Sequence, residues 1–210
     1  MYTLFHSPGS ASMPVHLALL EIGVPYELRR LDLDAKEHKD PEYLKVNPHG
    51  LVPTLIVDGQ PFYETAALLM LLAERHPEAK LAPLPGTRER AVYLQWMLHL
   101  ANTVQAAFRL WFHPNYGGPP EAEEGIKQAA RATIEASWDR LDAHLAAGGP
   151  YLLGSTYGVI DMLAIVTVRW SRNMPKPATE WPAIAKFASK VKGRSTWKRL
   201  YKVDGLTEWA

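Results

Sequence analysis

Two short stretches combine residue types suited to holding a small polar ligand. The first is Asn47-Pro48-His49-Gly50-Leu51-Val52-Pro53-Thr54. Pro53 stands where a loop enters a strand, and a cis X–Pro bond there can expose the backbone of the preceding residue instead of committing it to a ladder. A plain tight turn would account for Pro53 alone. The second stretch is Tyr63-Glu64-Thr65, at the start of a helical pattern. The first N–H groups of a helix lack internal partners and attract a carboxylate. A Thr hydroxyl adds a donor, and a Glu carboxylate can receive an ammonium group. The competing reading is a simple helix cap, since Thr and acidic residues favour that position.

Other chemistry is narrowed by what is missing. The chain has no cysteine, so a disulfide framework, a zinc–thiolate site and a protein cysteine nucleophile are excluded. Its eight histidines form no HExxH motif and no HxxxH pair. His16 and His99 read as partly buried polar residues, His6 as a neighbour of the first strand–helix junction, and no metal is expected.

These residues need elements to position them. Tyr2–Phe5 is a short β-rich run, and Met13–Ile22 is apolar at helical spacing until Gly23. Tyr26–Leu33 reads as a second strand, and 35–46 as a charged loop with a short helix. Thr54–Val57 and Pro61–Tyr63 flank Asp58-Gly59, a strong hairpin signal. A helix over Thr65–Arg75 stops before Pro77. The order βαβ, crossover, ββα describes an α/β unit of thioredoxin-like size. Residues 78–87 carry two prolines and a glycine and read as a linker. Beyond it the strand signal ends. Helices are expected over Arg88–Phe112, Glu121–Ala147, Gly158–Trp170, Pro182–Lys192 and Ser195–Tyr201, with Gly158–Trp170 apolar nearly all round, as a central core helix is. The expected domains are 1–80 (α/β) and 86–210 (all-α).

Composition agrees with an ordinary globular chain. Of 210 residues, 47% are hydrophobic and 21% charged, and 23 basic residues face 22 acidic ones. A net charge of +1 is no footprint for nucleic-acid binding. The locally basic stretch from Lys186 to Lys202 reads as a solvated helical face. MYTLFHSPGS has no basic leader, and the most apolar run, Val159–Val168, is broken by Asp161, so neither a signal peptide nor a membrane span is expected. A cytoplasmic location is the expectation.

Together, NPxGxVPxL, a DG hairpin and Glu-Thr opening a helix resemble the N-terminal domain of cytosolic glutathione S-transferases. The likeness extends along essentially the whole chain through the element order, the linker and the helical second half. Gly158-Val159-Ile160-Asp161 resembles the box that opens the family's core helix, with glycine where Ser or Thr is usual. The resemblance implies a glutathione transferase fold. It implies that Val52, before cis-Pro53, presents backbone N–H and C=O to the cysteinyl part of glutathione. Glu64 and Thr65 would hold the γ-glutamyl ammonium and carboxylate. Lys36, with His38 or Lys39 as alternates, would reach the glycyl carboxylate.

The thiol must become a thiolate to attack. Family members assist it with a Tyr, Ser or Cys at the first strand–helix junction, which here reads His6-Ser7-Pro8-Gly9-Ser10-Ala11-Ser12. The pattern is similar to the bacterial beta type, whose cysteine position falls on Ala11. A serine-type reading follows, with Ser10 first and Ser12 second. A pocket for a small hydrophobic electrophile is expected from Asn102, Gln105, Arg109, Phe112, Tyr116 and Trp170. The family and the apolar Arg88–Phe112 helix imply a homodimer. Other glutathione chemistry on the same fold (peroxide reduction, dehalogenation, ether cleavage, isomerisation) and a non-catalytic binding role are the alternatives.

Overall fold

The structure is a computed structural model that describes residues 1–209. Its single sheet has the order β2-β1-β3-β4. Strand β1 (Tyr2–His6) lies parallel to β2 (Tyr26–Arg30) and antiparallel to β3 (Thr54–Val57), which pairs in turn with β4 (Gln60–Tyr63). β1 is central and its Leu4, Phe5 and His6 are all buried, as expected of a strand covered on both faces. β2 is shorter than expected and stops at Arg30, because the charged segment after it turns away. Asp58 and Gly59 both adopt positive φ, +52° and +82°, the requirement of a two-residue hairpin turn.

Helix α1 (Met13–Ile22) follows β1, and Met13 to Leu20 are buried without interruption. A 3₁₀ turn (Glu37–Lys39) and the short α2 (Pro41–Val46) occupy the charged crossover. Helix α3 (Thr65–Arg75) buries Thr65, Ala66, Leu68, Leu69, Leu72 and Ala73, the 3–4 spacing of an amphipathic face.

The chain divides into two compact units, 1–82 together with 192–210, and 83–191. The expected all-α segment 86–210 is therefore not one unit to its end. Helix α9 (Ser195–Asp204) packs against α1 instead, because Glu21 on α1 accepts from Arg194 and from the Thr196 hydroxyl. Trp197, Leu200 and Tyr201 are buried there.

In the second unit, the helix expected over Arg88–Phe112 is α4 (Arg88–His99), a π-helical segment (Leu100–Gln105) and α5 (Ala106–Phe112). Helix α6 (Glu123–Gly148) begins after a 3₁₀ turn at Pro120–Ala122. In α7 (Val159–Trp170) every residue from Val159 to Arg169 is buried. Gly158 has no side chain to cap α7, but Asp161 supplies the reciprocal half of the box. Its carboxylate accepts from the N–H of Gly158 and of Leu152, each at 2.9 Å. Helix α8 (Pro182–Lys192) completes the unit. Among the described residues, no helix is long and apolar enough to cross a membrane.

Candidate active site

The loop before β3 is built from inside. Asn47 is buried, and its side-chain amide donates to the Leu51 carbonyl and to Thr54 Oγ1, both at 2.9 Å, while its Oδ1 accepts from His49 N–H. Tyr43, from α2, donates to the same Leu51 carbonyl at 2.6 Å and lies 2.8 Å from Thr54 Oγ1. Burial pushes the Tyr43 phenol above its ordinary range, against the lowering effect of Thr54 and Asn47, so it stays a protonated donor. Gly50 holds φ at +56°, and a Cβ there would meet the His38 carbonyl oxygen at 2.7 Å. No other residue fits that turn. Ladder pairing begins only at Thr54. The Val52–Pro53 bond is cis, and Val52 is half-buried outside the strand.

The cation of this region is sorted by its neighbours. Lys39 Nζ is occupied by the Gly50 carbonyl at 2.8 Å. Burial, Lys39 and Lys36 together depress the His38 imidazole below its usual range, leaving it neutral at physiological pH. Lys36 is exposed, at a positive φ of +60°. Of the three, Lys36 is the one whose charge is neither engaged by carbonyls nor suppressed.

Glu64 is exposed and sits at the N-cap of α3 with φ +74° and ψ +106°. A non-glycine residue there costs about 1–3 kcal/mol and persists where surrounding structure demands it, often at ligand sites. Its side chain makes no capping bond, which removes the simple cap reading. Thr65 differs from expectation in one respect. Its hydroxyl donates to the Ala11 carbonyl at 2.9 Å, so that proton is committed. What Thr65 offers a carboxylate is its backbone N–H at the open helix end. The same bond ties the start of α3 to the β1–α1 junction.

At that junction the two serines behave differently. Ser12 is wholly buried. Its Oγ accepts from Ser7 N–H at 3.1 Å, donates to the Ser7 carbonyl at 3.0 Å, and lies 2.9 Å from His6 Nδ1. It is a hub of the interior, so the second-choice assignment of Ser12 as a direct thiol donor is corrected: solvent and ligand have no access to it. Ser10 is half-buried, donates to the Ser7 carbonyl at 2.7 Å, accepts from Ser12 N–H at 3.2 Å, and is 2.8 Å from Ser12 Oγ. Ala11, also half-buried, has no hydrogen-bond partner for its N–H among the described residues.

Behind Ser12 lies a cluster that sequence reasoning did not assemble. His6 Nε2 and His16 Nδ1 approach Asp204 Oδ1 at 3.2 and 2.9 Å, and His16 Nε2 is 2.8 Å from the Tyr26 hydroxyl. Burial alone would raise the Asp204 carboxyl, but His16 and His6 outweigh it and hold it below the ordinary carboxylate range. Nothing in the local sequence links residue 204 to residues 6 and 16.

The residues expected to line an apolar pocket all belong to the second unit. Asn102 is exposed and Gln105 half-buried on the π-helical segment, a geometry common at functional sites. The Arg109 guanidinium lies 4.3 Å from the centre of the Tyr116 ring. Phe112 stacks on Phe108 and meets Trp170 edge-on at 6.4 Å. Phe112 and Tyr116 remain 48% and 56% exposed, whereas Trp170 is half-buried.

Comparison with known proteins agrees with this architecture. The glutathione S-transferase N-terminal domain family matches residues 4–80, and the corresponding C-terminal domain family matches 121–200. A glutathione S-transferase of Xanthomonas campestris pv. campestris is 28% identical, over 97% of this chain and 98% of its own length. A glutathione transferase homologue from Sulfitobacter, solved with bound glutathione, superposes with a TM-score of 0.90 at 28% identity, covering 99% of each chain. A bacterial beta-class transferase from Sphingomonas chungbukensis gives 0.85 at 30% identity, covering 98% of this chain and all of the other. The chain belongs to the glutathione S-transferase family.

Proposed function

We propose that this transferase holds glutathione along the first unit and presents its thiolate to a small hydrophobic electrophile. The Val52 backbone pairs with the cysteinyl residue. Glu64 takes the γ-glutamyl ammonium, the Thr65 N–H the γ-glutamyl carboxylate, and Lys36 the glycyl carboxylate. The Ala11 N–H and, after its hydroxyl turns from the Ser7 carbonyl, Ser10 donate to the sulfur. Donors to a thiolate favour the charged form and lower the thiol pKa from its free value of about 8.5. The thiol proton leaves to solvent. The sulfur lone pair then forms the S–C bond, and the leaving group departs with the electron pair of the bond that breaks. Asn102, Gln105, Arg109, Phe112 and Tyr116 line the electrophile's pocket. The active form is a homodimer: Leu94 and Leu98, one turn apart on α4 and 37% and 51% exposed, support an apolar contact there, and light scattering of the purified protein decides it.

The observation that carries this reading is the Thr65–Ala11 bond at 2.9 Å. It couples the open end of α3, with its strained and uncapped Glu64, to the junction where a thiol would need donors. Glu64→Ala tests it by calorimetry. An ammonium deprived of its carboxylate loses a charge-assisted bond of about 1.5–3 kcal/mol, so glutathione affinity should fall roughly ten- to a hundredfold. Unchanged affinity removes Glu64 from the site.

A further inference from the structure

The cluster behind Ser12 has the makings of a metal centre. Four donor atoms (His6 Nε2, His16 Nδ1 and both Asp204 oxygens) are buried and have no aligned hydrogen-bond partner. Yet the two nitrogens stand only 3.2 and 2.9 Å from the same carboxylate oxygen, and one ligand atom from each of the three residues lies within 4.8 Å of the other two. Contacts that short but poorly directed are unusual for hydrogen bonds, which weaken steeply off-axis. They resemble the spacing between ligands that point at a common centre. With bonds of about 2.0 Å, the ligands of a tetrahedral ion lie about 3.3 Å apart.

The surroundings fit as well. Each imidazole has its outer nitrogen fixed by a hydroxyl: His6 Nδ1 by Ser12 Oγ at 2.9 Å, His16 Nε2 by Tyr26 at 2.8 Å. Outer partners of this kind set the tautomer of a ligating histidine and leave the inner nitrogen's lone pair for the ion. The two rings are steeply inclined to each other, 66° with centroids 5.1 Å apart. Two imidazoles and a carboxylate suit a borderline divalent ion better than magnesium or calcium, which take oxygen ligands.

We propose that His6, His16 and Asp204 form a closed site for a divalent transition ion of the zinc type. Two nitrogens and a bidentate carboxylate fill four positions, so the ion has no open face for a substrate and is structural. It fastens α9 to the β1–α1 junction, and through His6 it fixes Ser12. The proposal does not depend on glutathione as the ligand elsewhere.

Because the donors are buried, the ion enters during folding. The full chain is denatured with chelator, refolded with Co²⁺ or Zn²⁺, and freed of excess metal by gel filtration. One equivalent should be retained, and Co²⁺ should give the visible ligand-field bands of a four-coordinate ion. Asp204→Asn and His16→Gln should lose both, and the exposed-site control His113→Gln should keep them. A wild type that refolds without retaining either metal overturns the proposal, as does undiminished binding in Asp204→Asn. Folding of the variants is followed by circular dichroism. Should they fail to fold, the wild-type histidine NMR spectrum decides. Zn²⁺ must shift the ring resonances of His6 and His16 and leave His113 in place. Shifts confined to other histidines mean the cluster holds only protons, and the site is lost.

Discussion

The 47–54 loop and the β1–α1 junction solve the same problem in opposite ways. In the loop, buried Asn47 and Tyr43 and exposed Lys39 satisfy the carbonyls of Gly50 and Leu51 and leave the Val52 backbone outside the ladder. In the junction, the side chains satisfy one another. Ser10, Ser12 and His6 Nδ1 form a connected hydroxyl–imidazole chain, with Asp204 3.2 Å from the far nitrogen of His6. The loop offers backbone and spends side chains on support, whereas the junction keeps its serines mostly occupied. A residue's chemical type is therefore a poor guide to what it can give a ligand. Its remaining hydrogen-bonding capacity decides.

The comparison breaks first at Asn47, where the largest effect is expected. Asn47→Ala removes three hydrogen bonds in a buried setting and leaves Thr54 and the Leu51 carbonyl less well paired. At about 1 kcal/mol each, the loss is about 3 kcal/mol, or roughly 6–12 °C in melting temperature for a chain of this size. Glutathione affinity should fall with it, since the Val52 backbone loses its frame. Wild-type melting and affinity in this variant would show that Tyr43 alone holds the loop.

The serines come next. Ser12→Ala strips the partner from Ser7 N–H and His6 Nδ1, and should cost about 2 kcal/mol, more than the roughly 1 kcal/mol of a helix cap. It should leave the thiol of bound glutathione near its wild-type titration. Ser10→Ala should do the reverse. At half-buried Ser10 water replaces most of the lost bonds, so stability falls by only about 1 kcal/mol, but the thiol pKa rises by about one to two units, the equivalent of one charge-assisted bond. Thiolate absorbance against pH, with melting curves, separates the two. If neither variant moves the titration, the Ala11 N–H acts alone.

Legibility in the sequence follows the range of the contacts. The boundaries of α1, β3 and α3 are those of the periodic pattern, because each is bounded by a local signal: Gly23, the Asp58-Gly59 turn, Pro77. The Asn47 motif is equally local, since its partners lie within seven residues. The β1–α1 hub needs Asp204 from the last helix, and no spacing rule joins it to His6. Likewise α9 carries an ordinary amphipathic pattern, and it is the pairing of Arg194 and Thr196 with Glu21 and of Asp204 with His6 and His16 that ties it to the first unit. The engagement of the Thr65 hydroxyl is hidden for the same reason: its acceptor is a carbonyl 54 residues away. The break of the long helix into a π segment at Leu100–Gln105 has no mark in apolar periodicity, which the surrounding helix turns share.

The smallest expected effect concerns His38, and it sharpens the contrast in charge. The junction places a carboxylate held ionised beside two histidines. The loop region instead has a histidine held neutral by burial and by Lys39 and Lys36. Its folded pKa lies below the ordinary value of 6.5, so between the two values the unfolded chain binds more protons than the folded one. The stability that neutral His38 contributes is then complete above pH 6.5 and is lost as pH falls through the lower, folded value. Replacing it with glutamine should flatten the decline of melting temperature between neutral and mildly acidic pH, without altering the plateau above. The His38 ring signal in the NMR spectrum should titrate with a midpoint under 6.5. A midpoint at or above that value would mean a nearby acid outweighs both lysines and the burial, and the cation serving a bound carboxylate could then be His38 instead of Lys36.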